Sequence, residues 1–316
     1  MTEDRPALAA LLMVGSLCLL GLQDSLFKLI SGNVSLWQFH LLRAGFNLFF
    51  LLLLSRIFWR GASALPKRPW AVILRSIFLV CSMLFFFGAI PSMSLSEAAA
   101  GLYVFPLFII LLSSLFLGER LSIHRGLAIT GGFAGTILIL KPLSVAFHWI
   151  TLSPVIAALF YAATIIATRK LCREENPATL AMIGAIAFAI AGAMGVSVME
   201  ILRPDRLAES LPYLFSGWSS LSVAVTLIIL LCSMMNLAAN IGLAKAYQSA
   251  ESSWLAPFDY SYLVFAAIWG ALIWNDVPDA ASLLGMAMIA GSGCYVLWRE
   301  RIEGSMKSVF PARPVR

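Results

Sequence analysis

Apolar runs of roughly twenty residues recur along the whole chain, separated by short breaks where Lys, Arg, Pro and Gly collect. A helix needs about that length to cross a hydrocarbon core, so the pattern predicts membrane-spanning helices. Ten are predicted, over Ala7–Leu29, Leu36–Phe58, Ala71–Ile90, Ser94–Leu117, Ile123–Leu140, Thr151–Leu171, Pro177–Met199, Ser219–Ala244, Glu251–Trp274 and Ala280–Trp298. The short connections favour antiparallel neighbours. The first run follows a single Arg5 without a small-residue cleavage site, and is read as a retained span, not a signal peptide. Residues 303–316, with Pro311 and Pro314 and little that could pack, are expected to form a disordered cytoplasmic tail.

Composition supports the same class. Hydrophobic residues make up 60% of the chain and charged residues only 12%, where a soluble domain carries about 25% charged and under half apolar residues. That shortfall of charge excludes a soluble multidomain enzyme. The net charge of +6 does not point to nucleic acid, because the basic residues lie between apolar runs and not on one face. They act instead as topology signals. With both termini in the cytoplasm, sixteen Lys and Arg fall inside, against Lys28, Lys141, Arg203 and Arg206 outside. This is the positive-inside asymmetry, and adding or dropping one span would destroy it. The five cysteines are scattered without ligand spacing, so they are read as packing residues. No metal site and no cofactor are expected.

The chain also repeats itself. Gly88 and Glu97 stand nine apart where span three meets span four, and Gly242 and Glu251 repeat this where span eight meets nine. Cys81-Ser82-Met83 recurs as Cys232-Ser233-Met234, Phe27-Lys28-Leu29 corresponds to Arg169-Lys170-Leu171, and Gly126 and Gly132 match Gly285 and Gly291. Four matches in one order indicate a duplication of five spans, and five being odd, the second copy is inverted. The fold expected is an all-α membrane protein of ten transmembrane helices in two inverted five-helix repeats, residues 1–145 and 146–302. Many alternating-access transporters have this architecture.

Four stretches carry a family resemblance: Asp24-Ser-Leu-Phe-Lys28 with Arg43 after it, Glu97-Ala-Ala-Ala-Gly101 leading to Pro106, Leu117-Gly-Glu-Arg120, and Ala256-Pro-Phe-Asp-Tyr260. On these the chain resembles the drug/metabolite transporter superfamily, in its ten-span EamA-type branch, over about residues 7–300. Within that branch it is similar to bacterial S-adenosylmethionine uptake carriers and more loosely to riboflavin and amino-acid carriers. The resemblance implies secondary active transport of a small organic metabolite by alternating access, in a bacterial inner (cytoplasmic) membrane. An S-adenosylmethionine-like or other amino-group-bearing solute is favoured; riboflavin or amino-acid carriage, or export, is the alternative. Two departures stand out: Asn275-Asp276 replaces the second Gly-Glu, and Asp259 replaces a basic residue of the methionine-derivative carriers.

Charges in hydrocarbon cost about 2.5–3.5 kcal/mol on insertion scales, so they face other helices or a wet cavity. Asp24, Arg43, Glu97, Glu251 and Asp259 are the candidates. Three polar stripes at helical spacing add to them: His40, Arg43 and Asn47; Tyr161, Thr164 and Thr168; and Ser233, Asn236 and Asn240. Together they predict one central cavity, with interhelical hydrogen bonding as the alternative. The predicted substrate-binding set is Asp24, Arg43, Asn47, Tyr161, Asn236, Asn240, Trp254, Asp259 and Tyr262. Asp24 and Arg43 are read either as substrate anchors or as a permanent ion pair between spans one and two. Glu97 and Glu251 are read either as proton carriers or as first-turn acids complementing a helix dipole. Asp259, deep in span nine among aromatics, suits an organic cation or a transported proton, the alternative being a basic partner elsewhere. Small-residue pairs such as Gly131-xxx-Gly135 and Ala287-xxx-Gly291 predict close packing of spans five and ten, within the chain or in a homodimer.

Other function classes fit less well. A membrane enzyme would need a constellation such as HExxH or GxSxG, and a primary pump a GxxxxGK[ST] loop; neither occurs. A channel-like pore is a further rival, distinguished by unsaturated flux, and a non-transporting receptor or scaffold is disfavoured by the polar stripes. The expected partners are a small-molecule substrate and the lipid bilayer.

Overall fold

The structure, a computed structural model, describes residues 6–58, 65–118, 123–141, 148–249 and 252–309. It is helical in α1 (Pro6–Ile30), α2 (Leu36–Phe58), α3 (Pro69–Ala89), α4 (Leu95–Leu102), α5 (Phe105–Leu117), α6 (Ile123–Leu140) and α7 (Ser153–Leu171). There follow α8 (Pro177–Leu202), α9 (Asp205–Ser210), α10 (Pro212–Phe215), α11 (Val223–Ser249), α12 (Ser252–Asp259), α13 (Ser261–Trp274) and α14 (Ala280–Val309). Among the described residues seven stretches are long and apolar enough to cross a membrane: Pro6–Ile30, Leu36–Leu53, Pro69–Ser92, Leu95–Leu117, Trp149–Leu171, Pro177–Leu202 and Val223–Ser249. Gly126–Leu140 and Ala280–Val296 are shorter apolar helices. Large apolar side chains face outward, Leu11, Ile123, Val223 and Leu272 being each over 70% exposed, as a lipid-facing surface requires.

Two of the expected spans are interrupted. The stretch Leu95–Leu117 breaks at Tyr103 and Val104, where Pro106 in the first turn of α5 supplies no N–H to continue the ladder from α4. The stretch Ser252–Trp274 breaks at Tyr260, just after Pro257 near the end of α12. Both second pieces end alike. Gly118 caps α5 at φ 71° and Asn275 caps α13 at φ 58°, each in the left-handed conformation. Asn is the residue after Gly that most readily takes this conformation, which accounts for its standing where the motif has Gly.

The main pairings are α1 with α11, α3 with α7, α2 with α8, and α6 with α14. Helices α6 and α14 meet at a glycine seam: a Cβ on Gly285 would lie 2.5 Å from the Gly135 carbonyl oxygen, and one on Gly135 2.7 Å from that of Gly285. Close packing of spans five and ten within the chain is thus formed at Gly135 and Gly285, while Gly291 meets nothing within 4 Å. At its end Lys141 pairs with Asp279, and this contact holds the exposed Asp279 carboxyl below the usual carboxylate range. Helix α14 runs to Val309, into the segment 303–316 expected from sequence to form a tail. No proline interrupts the helix before Pro311. Residues 310–316 and the repeat boundary at 145 and 146 lie outside the described residues.

Candidate functional site

Helices α1, α2, α3, α7, α8 and α11, together with the two helix breaks, enclose a cavity of about 480 Å³. No described residue of α6 or α14 belongs to its wall. Its acidic side begins at Asp24, only 5% exposed on α1. Asp24 Oδ1 accepts from Gln23 Nε2 at 2.9 Å, and Oδ2 accepts from the Tyr262 hydroxyl. The Tyr262 ring in turn stacks on Tyr103, with centroids 4.9 Å apart and planes 10° apart. One aromatic side chain from each helix break thus meets the other beside a carboxylate.

Asp259 closes α12 at the second break and also lines the cavity. Its Oδ2 accepts from the Tyr247 hydroxyl of α11 at 3.0 Å. Its described partner is a tyrosine, not the basic residue that a structural ion pair would supply. Tyr161, Asn236 and Asn240 share the same wall.

Arg43 faces these groups from α2. It is 6% exposed, and its guanidinium lies 5.3 Å from the Phe39 ring, 4.9 Å from Phe87 and 5.8 Å from Phe188. It makes no hydrogen bond or ion pair with a described residue, so the permanent Asp24–Arg43 pair is not formed here. Both Asp24 oxygens are engaged by Gln23 and Tyr262 instead. A second cavity of about 340 Å³ shares Arg43, Leu79, Phe188, Asn236 and Asn240 with the first. It reaches Asn47, Leu51, Arg75 and Pro177, toward the end of α2 and the start of α8.

The opposite end is shut. Phe27, Phe39 and Phe87 form an aromatic plug, with Phe27–Phe39 at 4.3 Å and Phe27–Phe87 at 4.8 Å, and Tyr213 of α10 packs against it. Above it Lys28 Nζ pairs with Asp276 at 2.7 Å, donates to the Met93 carbonyl at 3.0 Å and lies over the Trp274 ring. Trp37 Nε1 donates to the Leu214 carbonyl at 2.9 Å, and Gln38 Nε2 to that of Ser219 at 2.8 Å.

The three polar stripes divide. Arg43 and Asn47 reach the cavities, while His40 is fully buried, stacked on Phe188, with both ring nitrogens unpartnered. Tyr161 reaches the wall, whereas Thr164 and Thr168 donate to their own helix, to Phe160 and Thr164. Asn236 and Asn240 line both cavities, and Ser233 donates back to Ile229. Glu97 stands away from the wall in a capping box: Ser94 accepts from its backbone N–H, and its carboxylate accepts from Ser94 N at 3.0 Å. Trp254 belongs to α12 but its side chain is outside the described set, and so is all of Glu251. The sequence reading missed Gln23, Tyr103, Tyr247 and the phenyl rings around Arg43. Of these, Gln23 was signalled by its own polarity in an apolar run, and Phe39 by standing four residues before Arg43.

Residues 7–141 match the EamA-like transporter family. The first half of the chain thus carries a segment similar to the EamA-like transporters. It is 27% identical over 272 residues to the riboflavin transporter of Rhizobium johnstonii, covering 85% of this chain and 82% of the relative. It is 26% identical over 267 residues to the S-adenosylmethionine uptake transporter of Rickettsia felis, covering 84% and 85%. A solved crystal structure shares the fold, with a TM-score of 0.63 at 20% identity over 94% of this chain and 99% of that one. These relatives are named as transporters, not enzymes, in keeping with the seven described stretches long and apolar enough to cross a membrane.

Proposed function

We propose that the chain carries an amino-group-bearing metabolite, of the S-adenosylmethionine type, across an inner membrane by alternating access. The observation that carries this reading is the cavity in which Asp24 and Asp259 stand beside Tyr103, Tyr161, Tyr247 and Tyr262. An acid among aromatic faces attracts an organic cation by charge and by cation–π contact. The stacked Tyr103–Tyr262 pair gives a flat surface for a ring system. That surface also favours riboflavin, the second reading, which the Rhizobium relative supports.

The ten-span, two-repeat architecture belongs to the same proposal. Exchanging α1 with α7, α2 with α8, α3 with α11, α4–α5 with α12–α13 and α6 with α14 turns the α1–α11 packing into α7–α3. It turns α1–α13 into α7–α5 and α3–α8 into α11–α2, pairings that also occur. The matched breaks and left-handed caps support it further. With both termini cytoplasmic, as the Lys and Arg distribution indicates, the plugged end faces outward and the Asn47–Pro177 end inward. The structure then corresponds to the inward-facing limb of the cycle.

The test is Asp259→Asn, which keeps the shape and removes the charge. Binding of S-adenosylmethionine by the purified, folded variant should fall about tenfold or more, the effect of losing a charged partner in a desolvated site. Unchanged binding and unchanged gradient-driven uptake would remove Asp259 from the site.

A further inference from the structure

We infer that Arg43 is the anchor for a substrate carboxylate, which makes the cavity selective for solutes carrying a carboxylate together with a cationic group. This rests on the reading of the cavity as the substrate site and narrows the class of solute it takes. A guanidinium keeps its charge and presents five N–H donors in a planar fork. The three phenyl rings around Arg43 attract that charge, but they cannot satisfy its donors as an oxygen acceptor would. The obvious protein acceptor, Asp24, takes its described hydrogen bonds from Gln23 and Tyr262 and none from Arg43. A cation only 6% exposed, without a hydrogen-bond acceptor among the described residues, therefore stands on the wall of a cavity. The group that fits a planar fork of this kind is a carboxylate accepting two parallel hydrogen bonds.

The opposite wall selects the rest of the solute. Asp24 and Asp259 line the same cavity, so a multiply charged anion such as a phosphate would meet two carboxylates there. A cationic amine or sulfonium would meet them favourably. Opposed charges of this kind match an amino-acid moiety, and they leave a neutral ring system with unpaired donors at Arg43.

Two matched pairs of probes test this on the purified full-length protein: S-adenosylmethionine with its decarboxylated analogue, and lysine with cadaverine. Riboflavin serves as a carboxylate-free solute. Affinities are measured by titration or ligand-induced thermal shift. At least one carboxylate-bearing member should bind tenfold or more tighter than its decarboxylated partner, and Arg43→Gln should abolish that difference. Arg43→Lys, which keeps the charge but loses the fork, should retain only part of it. Equal binding of both members to the wild-type protein would overturn the inference while leaving the amino-group reading intact. Riboflavin binding with no amine-bearing probe binding would overturn both. Because the comparison within each pair is made on wild-type protein, it decides the matter even where Arg43→Gln fails to fold.

Discussion

Tyr262 donates its hydroxyl to Asp24 and lays its ring flat on Tyr103, so one side chain ties α13 to α1 and to the break between α4 and α5. Tyr262→Phe keeps the stack and removes the donor. One oxygen of a buried carboxylate then loses its partner, a loss of about 1–3 kcal/mol. The variant should melt at lower temperature in detergent and bind the substrate more weakly. An unchanged melting temperature would show that the hydroxyl does not hold Asp24.

The Lys28–Asp276 pair is the polar latch over the aromatic plug. Asp276→Asn should loosen that end and raise the population open to the outside. A cysteine placed at Leu20, on the cavity wall, in a background without the five native cysteines, reports the change. Labelling by a membrane-impermeant thiol reagent from outside should speed up several-fold in the variant. Equal labelling rates would show that the latch does not gate access.

The glycines of α6 and α14 divide into tight and open positions. Gly285→Ala places a Cβ 2.5 Å from backbone oxygen, and the two helices must separate. Gly291→Ala meets nothing within 4 Å and also improves helix propensity. The first substitution should lower expression and thermal stability, and the second should leave both unchanged or slightly raised. The reverse order would contradict the packing of α6 on α14.

A fusion at Arg301 tests the orientation. If the C-terminal end is cytoplasmic, as proposed from the Lys and Arg distribution, a C-terminal alkaline phosphatase there should be inactive and a green-fluorescent fusion bright. An active phosphatase would reverse the assignment of the open and plugged ends.

Much of this was legible in the apolar pattern, because hydrocarbon imposes helix length directly. The runs Leu36–Phe58 and Ile123–Leu140 coincide with α2 and α6. The span expected from Ser219 begins instead at Val223, because Ser219 is held in the connecting segment by Gln38, a contact from a distant part of the chain. The short helices α9 and α10 were not foreseen, although α10 delivers Tyr213 to the plug. Intramembrane charges announced Asp24, Arg43 and Asp259, since nothing in an apolar run conceals them. Their partners were hidden for a different reason. Tyr262 and Tyr247 come from other helices, and the rings around Arg43 come from α2, α3 and α8, a convergence that periodicity along one helix cannot express.

Uptake of labelled S-adenosylmethionine into proteoliposomes tests whether the Asp24–Asp259 cavity carries an amino-group-bearing solute across the membrane. Uptake should be saturable, stimulated by the same unlabelled solute inside, and lost in the folded Asp259→Asn variant. Uptake that does not saturate, or a folded Asp259→Asn variant that transports like the wild type, would contradict that role.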